Sequence, residues 1–384
     1  MNIPSLHQLA VLPVILPDEL IVEVLSFLEV KYLMRMKCVC RSWKTLFSDH
    51  VFHKMHLKKH STRMTHLAIF TDKSEGSGDC RADGGGVVGS CNGLVCLQSC
   101  SFAAEYTDYS FCFWNPATRK KSETLVSLSY YHKDYNIGKF AFGYDNSTDT
   151  YKVVLLCWKR DGGDVITSVV RVFTLGDNVW RDIDCFPGVS LHHSLSFFAE
   201  DGVYLNNSTN WFARQRYYCH LKNLTIEQFV IISLDLGTET YRQSMLPRCC
   251  DEDLYSQISW QTLYLSVFMD CLCFSYDFKG THFVMWQMRE FGVEESWVQF
   301  HKISYSNLQM DYKLRGLESH FTPELIVCPL CVSENGDTVI FAINRRDQVI
   351  VYNWRYNRVK RIKSNKKIRW SNARGYVESL VSTS

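Results

Sequence analysis

Apolar residues recur at helical spacing along roughly the first 60 positions, and then the period changes. Pro17 followed by Asp18 and Glu19 makes a favourable helix start, and Leu20, Ile21, Val24, Leu25 and Leu28 then form one apolar stripe. A second helical turn is predicted around Val30–Met36. A third helix would carry Val39, Trp43 and Leu46 on one face and leave Lys37, Arg41 and Lys44 to solvent. Ser48 is placed to cap a fourth short helix running to about Lys58. Short helices over about 45 residues make a marginal core, so this segment predicts a partner surface.

Farther along, apolar residues alternate or form short runs broken by turns, as strands do. Asn92-Gly93, Asp201-Gly202 and Asn335-Gly336 each separate two such runs, a strong hairpin sign. HLAIF (His66–Phe70) reads as a strand of the same domain, followed by a Gly/Ser/Asp-rich flexible loop over 72–87. A looser pattern repeats as FWNPATRK (Phe113–Lys120), VRVFTLGDNVWRDI (Val170–Ile183), IISLDLGTETYRQ (Ile231–Gln243), FVMWQMREFGVEESWVQF (Phe283–Phe300) and VIVYNWRYNRVKRI (Val349–Ile362). Second hairpins lie between these copies, giving four strands per unit at a spacing of roughly 50–65 residues, near the kelch-type period of ~50. Radial closure of such units makes a β-propeller, which shields its strand edges. An irregular β-sandwich is the other arrangement the hairpins allow. The fold class expected is therefore α + β in separate domains, a small helical module followed by an all-β, propeller-like domain.

Composition narrows the function. With 46% hydrophobic and 21% charged residues among 384, and a net charge of +2, the chain has the balance of a folded protein without a global pull toward nucleic acid or membranes. The first apolar run, Leu9 to Leu16, is broken by Pro13, and no basic start with a small-residue cleavage site marks an export signal. The expected location is the cytoplasm or nucleus. There most of the sixteen cysteines are expected to be reduced thiols and the Asn-x-Ser/Thr matches at Asn146, Asn206, Asn207 and Asn223 idle.

Candidate chemistry is sparse. His50, His53, His56 and His60 fall at metal-binding spacing on the fourth helix, but Lys54, Lys58 and Lys59 surround them, and a solvated basic face is the better reading. Cys328-Pro-Leu-Cys331 is half a zinc site with no matching second pair in Cys271-Leu-Cys273 or Cys249-Cys250. Gly84-Gly85-Gly86 lacks the Lys-Ser/Thr of a phosphate loop, and neither a Gly-x-Ser-x-Gly elbow nor a His-Glu-x-x-His pair occurs. No catalytic residue, metal or cofactor is expected. Arg355, Arg358, Lys360, Arg361, Lys363, Lys366, Lys367 and Arg369 form a basic cluster that reads equally as a nuclear signal or as a solvated strand end and tail.

The run LPDELIVEVLSFLEVKYLMRMKCVCRSWKTLFSDHVFHKMHL, Leu16 to Leu57, resembles the F-box. GSCNGL (Gly89–Leu94), WNPATR (Trp114–Arg119) and FGYDNSTDTYKVV (Phe142–Val154) resemble phrases of the plant F-box-associated domain. The resemblance implies a 1–15 extension, an F-box over 16–58, a kelch-like β-propeller over 64–365 and a basic tail over 366–384. It implies docking to a Skp-family adaptor, and through it to a cullin and a RING subunit, by Leu16, Pro17, Leu20, Ile21, Leu25, Leu28, Val39 and Trp43. These positions divide between the interface and the module's own core in a way the sequence leaves open. The function implied is the target-selecting, non-catalytic subunit of an SCF-type ubiquitin ligase. The rival readings are a propeller enzyme or ligand-binding protein with structural helices, and a scaffold that engages no ligase.

Overall fold

The computed structural model describes residues 17–60, 66–68, 86–123, 125–131, 135–161, 164–177, 179–183, 189–190, 202–214, 229–247, 263–310, 327–333, 335–343, 348–363, 370 and 373–383. Among these, four helices come first: α1 (Asp18–Leu25), α2 (Val30–Met36), α3 (Arg41–Leu46) and α4 (His50–His60). The Pro17 carbonyl accepts from Leu20 and Ile21 N–H at 3.1 and 3.2 Å, so the proline opens α1 without a lost bond. Leu25, Val30, Leu33, Phe47 and Phe52 make a small core in which the Phe47 and Phe52 rings lie 5.3 Å apart.

Two local expectations change. Val39 does not share a face with Trp43; it precedes α3 and is 67% exposed, because Cys40 takes the cap and its sulfur accepts from Trp43 N–H. The cap of α4 is Asp49, which accepts from Val51 N–H at 3.3 Å, while the Ser48 hydroxyl turns back to the Lys44 carbonyl at 2.8 Å.

After β1 (His66–Ala68) the chain builds five antiparallel sheets. The first holds β2 (Gly86–Cys91), β3 (Leu94–Phe102), β4 (Tyr106–Asn115) and β5 (Lys120–Lys121), with β6 (Leu125–Tyr131) also on β4. The second is β7 (Tyr135–Asp145), β8 (Thr150–Asp161), β9 (Asp164–Thr174) and β10 (Trp180–Ile183). The third joins β11 (Val189–Ser190), β12 (Val203–Leu205), β13 (Ser208–Arg214), β14 (Phe229–Asp235) and β15 (Tyr241–Met245). The fourth is β16 (Tyr264–Phe268), β17 (Cys271–Phe278), β18 (His282–Met288) and β19 (Trp297–Ser304). The fifth is β20 (Val327–Val332), β21 (Thr338–Ile343), β22 (Gln348–Asn353) and β23 (Arg358–Lys363). Finally β24 (Arg374–Tyr376) pairs with β1, His66 opposite Tyr376.

Contacts run β2 to β7, β7 to β12, β12 to β16, β16 to β20, β20 to β24 and β24 back to β2, which closes a ring. The architecture is a five-bladed β-propeller sealed by a two-stranded ribbon whose strands come from the two ends of the β-domain. Apolar clusters fill the gaps between neighbouring blades: Phe113, Phe142 and Tyr151 between the first and second, and Phe283 and Phe341 between the fourth and fifth. Such face-to-face burial of successive sheets makes each blade depend on its neighbours.

The hairpins are set by turn chemistry. Asn92 (φ 50°) and Gly93 (φ 83°) make the β2–β3 turn, as the sequence predicts. Asp201 and the run before it lie outside the described residues. Gly202 leads into β12, donating its N–H to the Phe140 carbonyl at 2.7 Å, where any Cβ would collide with Trp211. The β12–β13 turn is Asn206-Asn207, both in the left-handed region at φ 48° and 63°. The expected loop over 72–87 ends sooner, since Gly86 and Val87 already pair in β2; residues 72–85 lie outside the described residues.

A second turn form recurs. Asn115, Asp145, Asp235 and Asn353 each accept a backbone N–H bond from a residue two or three positions on. Four positions on, each turn ends in a left-handed residue: Arg119 (φ 60°), Asp149 (60°), Glu239 (56°) and Asn357 (48°). This is the physical content of the loosely repeating phrases.

Candidate functional site

The surface of the helical module is the first candidate. α1 is apolar on more than one face, and only part of it turns inward. Leu25 lies in the core, Ile21, Leu28 and Trp43 are half-buried, and Pro17, Leu20 (53%) and Val39 are exposed; Leu16 lies outside the described residues. Val24 (65%), Phe27 (62%), Tyr32 and Val51 (70%) extend the exposed apolar surface. Phe27 is ordered from its edge, with the Lys59 ammonium 3.9 Å above its ring and hydrogen-bonded to Ser26 Oγ at 2.7 Å. An isolated module this small does not leave so many large apolar side chains in water without a use. Val24 was legible only as part of the α1 stripe, and Phe27, Tyr32 and Val51 were not; an eight-residue helix with more apolar positions than one face holds was the available signal.

The histidines of α4 do not form a solvated face. His56 is 1% exposed with a ring nitrogen 2.8 Å from the Leu28 carbonyl, His60 reaches Ser26 O at 3.2 Å and His53 reaches Phe47 O at 3.0 Å. They tie α4 to the α1–α2 connection and the end of α3. Burial first, with the neighbouring His60 and His53 adding to it, pulls His56 down to about 4 against the opposing Leu28 bond. Among the described residues no group of three His, Cys, Asp or Glu is placed to hold a metal. Cys328 is buried on β20 and Cys331 is pushed up to about 11 by burial, so both are packed thiols; Cys249 and Cys250 lie outside the described residues.

The module is seated on one end of the propeller. His50 and Lys54 of α4 meet Asp149 of the β7–β8 turn at 3.0 and 2.9 Å, and a cavity of about 300 Å³ between them is lined by Leu57, Tyr144, Leu175 and Val381. Residues 379–381, expected as part of a basic tail, make a second contact. Asn115 of WNPATR donates from its amide to the Ser379 and Val381 carbonyls at 3.0 and 2.9 Å. Between those anchors Leu380, 4% exposed, enters the helical core beside Leu25, Phe47 and Ala117. Ser379 sits against Gly93, where a Cβ would collide with its hydroxyl.

The FGYD…YKVV phrase is a buckle between blades. Asp145 accepts from Ser147 N–H and from the Ser147 and Thr148 hydroxyls, and pairs with Lys152 at 2.8 Å. Lys152 also donates to the Leu236 carbonyl of the third blade at 2.5 Å and meets Glu239, which is bridged in turn to Arg181. Burial would raise Asp145; the Lys152 ammonium and the hydroxyl bonds outweigh it and hold the carboxyl far below its usual range. Trp114 is half-buried and packs, as Tyr376 of the closing ribbon does, on the Val87 and Val95 cluster, while its neighbour Phe113 fills the blade core. Of the basic cluster, Arg355 pairs with Asp337 at 3.2 Å and Arg361 bonds the Gln309 carbonyl; Lys366, Lys367 and Arg369 lie outside the described residues.

Residues 43–383 match the family model of the F-box associated beta propeller domain, and residues 15–55 match that of the F-box domain. An F-box/kelch-repeat protein of Arabidopsis thaliana is 29% identical over 310 residues, covering 73% of this chain and 78% of the relative. A putative F-box protein of the same plant is 28% identical, over 73% of this chain and 61% of its own length, so the chain spans less than two thirds of that relative. A further Arabidopsis thaliana F-box protein is 23% identical over 85% of this chain and 82% of the relative. Among solved structures, an α-L-arabinanase of Penicillium chrysogenum matches with a TM-score of 0.47 at 8% identity, over 80% of this chain and 88% of that one, a likeness too weak to bear on activity.

Proposed function

Since the chain belongs to the F-box-associated β-propeller family and carries an F-box domain at its head, we propose that it is the substrate-recognition subunit of an SCF-type ubiquitin ligase. The observation that carries this reading is the exposed apolar surface of Pro17, Leu20, Val24 and Val39 on a module whose own core is filled from behind by Leu380. An F-box is a module for Skp-type adaptors. On this reading the adaptor covers that surface and brings the cullin and RING subunits with it. Ile21, Leu28 and Trp43 border the interface, and Leu25 supports it from the core. Target binding falls to the propeller, and the chain's own contribution is proximity, a target's lysines held near the conjugating enzyme. The same reading puts the protein in the cytoplasm or nucleus.

The test is capture of a Skp-family adaptor by the full chain. Leu20→Ala and Val24→Ala should each weaken binding by about 1–3 kcal/mol, roughly 5- to 150-fold, with the melting temperature unchanged because both side chains are exposed. Addition of cullin and RING subunits should then yield one assembly by size exclusion. A folded wild-type chain that ignores the adaptor, or variants that bind it equally well, would sink the proposal.

A further inference from the structure

The inner strands β2, β7, β12, β16 and β20, with β24, surround a central cavity of about 160 Å³. About half of its wall is apolar, from residues such as Phe142, Trp211 and Phe212; beside the hydroxyls of Ser90, Tyr204 and Tyr264, three further polar side chains face it from three different sheets. Lys139 of β7 is 4% exposed and follows a register shift between Ile137 and Lys139, the kind of bulge that re-aims a side chain. Arg374 of β24 is half-buried and donates to the Ala373 carbonyl at 3.1 Å. Ser266 of β16 is 7% exposed, and its hydroxyl has no hydrogen-bond partner in the protein.

Each of these is costly beside the apolar part of the wall. A buried lysine is rare without a task, and a buried unsatisfied hydroxyl is destabilising. Both cations also engage protein groups, but an ammonium has three donors and a guanidinium five. Among the described residues no carboxylate lines the cavity. Two cations and a free hydroxyl facing one low-dielectric space favour negative charge there. The space suits a compact group and is too small for a loop of another protein.

We propose that the central channel is a binding site for a small anionic molecule bearing a carboxylate or phosphate. Lys139 and Arg374 hold the charge, and the Ser266 hydroxyl donates to it. Such a ligand touches β7, β16 and β24 together and so braces the ring across its closing ribbon. The site lies in the propeller and is independent of adaptor docking.

The experiment is calorimetry and thermal unfolding of the full-length chain with inorganic phosphate, pyrophosphate and citrate, against chloride at constant ionic strength. One of these anions should bind one-to-one and raise the melting temperature with the logarithm of its concentration. Lys139→Met should weaken that binding at least about tenfold, as loss of a charge-assisted bond does. Because Lys139→Met also alters a bulge, Ser266→Ala is the deciding variant. It removes only an unsatisfied hydroxyl, should keep or raise the ligand-free melting temperature, and should weaken the anion roughly 3- to 10-fold. Equal stabilisation of wild type and Ser266→Ala, or no response to any of the three anions, overturns the site.

Discussion

Lys152 carries its charge into a place where its side chain is 5% exposed, and it does so because three oxygens meet it there: Asp145, Glu239 and the Leu236 carbonyl. Removing one partner of such a set leaves the rest charged and dry. Lys152→Met should therefore destabilise by about 3–5 kcal/mol in urea unfolding, while Asp145→Asn combined with Lys152→Met should recover part of the loss. Additive effects would show that the buckle is not a unit. The sequence exposed half of this: Asp145 reads as a turn former from FGYD alone, but Leu236 and Glu239 stand 84 and 87 positions from Lys152. Periodicity reports which face a side chain takes and is silent on what lies across from it.

His56 offers a titration at the same scale. Its folded value near 4 lies below the ordinary histidine value of 6.5. Between those two values the unfolded chain binds a proton that the folded one refuses, so stability is full above pH ~6.5 and falls as pH drops toward ~4. The loss should reach at most about 3 kcal/mol. Thermal unfolding of the helices, followed by circular dichroism from pH 7 to pH 5, should show it, and His56→Asn should flatten the slope. An unchanged slope in that variant would exclude His56 as the source.

At the scale of elements, hairpins and helices were largely legible, and their failures have local causes. α1 and α2 stand where proline, carboxylates and leucine spacing put them. The third blade's β12–β13 turn was not read, because Asn206-Asn207 lacks the glycine that marks the stronger turn dipeptides. Gly202 is needed for its lack of a side chain against Trp211. Asn206→Gly should be tolerated within about 0.5 kcal/mol, and Asn206→Val should cost about 1–2 kcal/mol, since a β-branched residue resists positive φ. Equal effects of the two on the urea midpoint would show that the backbone there is not left-handed. For α1 the helix was readable and its two-sided use was not, because an apolar stripe looks the same whether it meets its own core or a partner.

At the scale of the molecule, the two ends of the β-domain meet in one ribbon and the C-terminus fills the core of the N-terminal module. Nothing in the local pattern of residues 374–383 announces this, and a stretch following so many Lys and Arg residues reads as a tail. Leu380→Ala should cost about 2–5 kcal/mol, as deletion of a buried leucine does. A chain ending at Glu378 should also scatter X-rays with a larger radius of gyration, as the helices lose their seat. A truncated chain as stable and as compact as the full one would contradict that role for the tail.

Leu380 also sets a clock on biosynthesis. At about 5–20 residues per second, the α1–α4 segment leaves the ribosome roughly 15–60 s before the leucine that completes its interior. Over that interval the helices keep the exposed apolar face of Leu20 and Val24 and are hollow on the face that Leu380 fills. A nascent chain cut short by a premature stop near its end therefore presents an almost complete ring and an unfinished head, a species that cellular quality control can recognise.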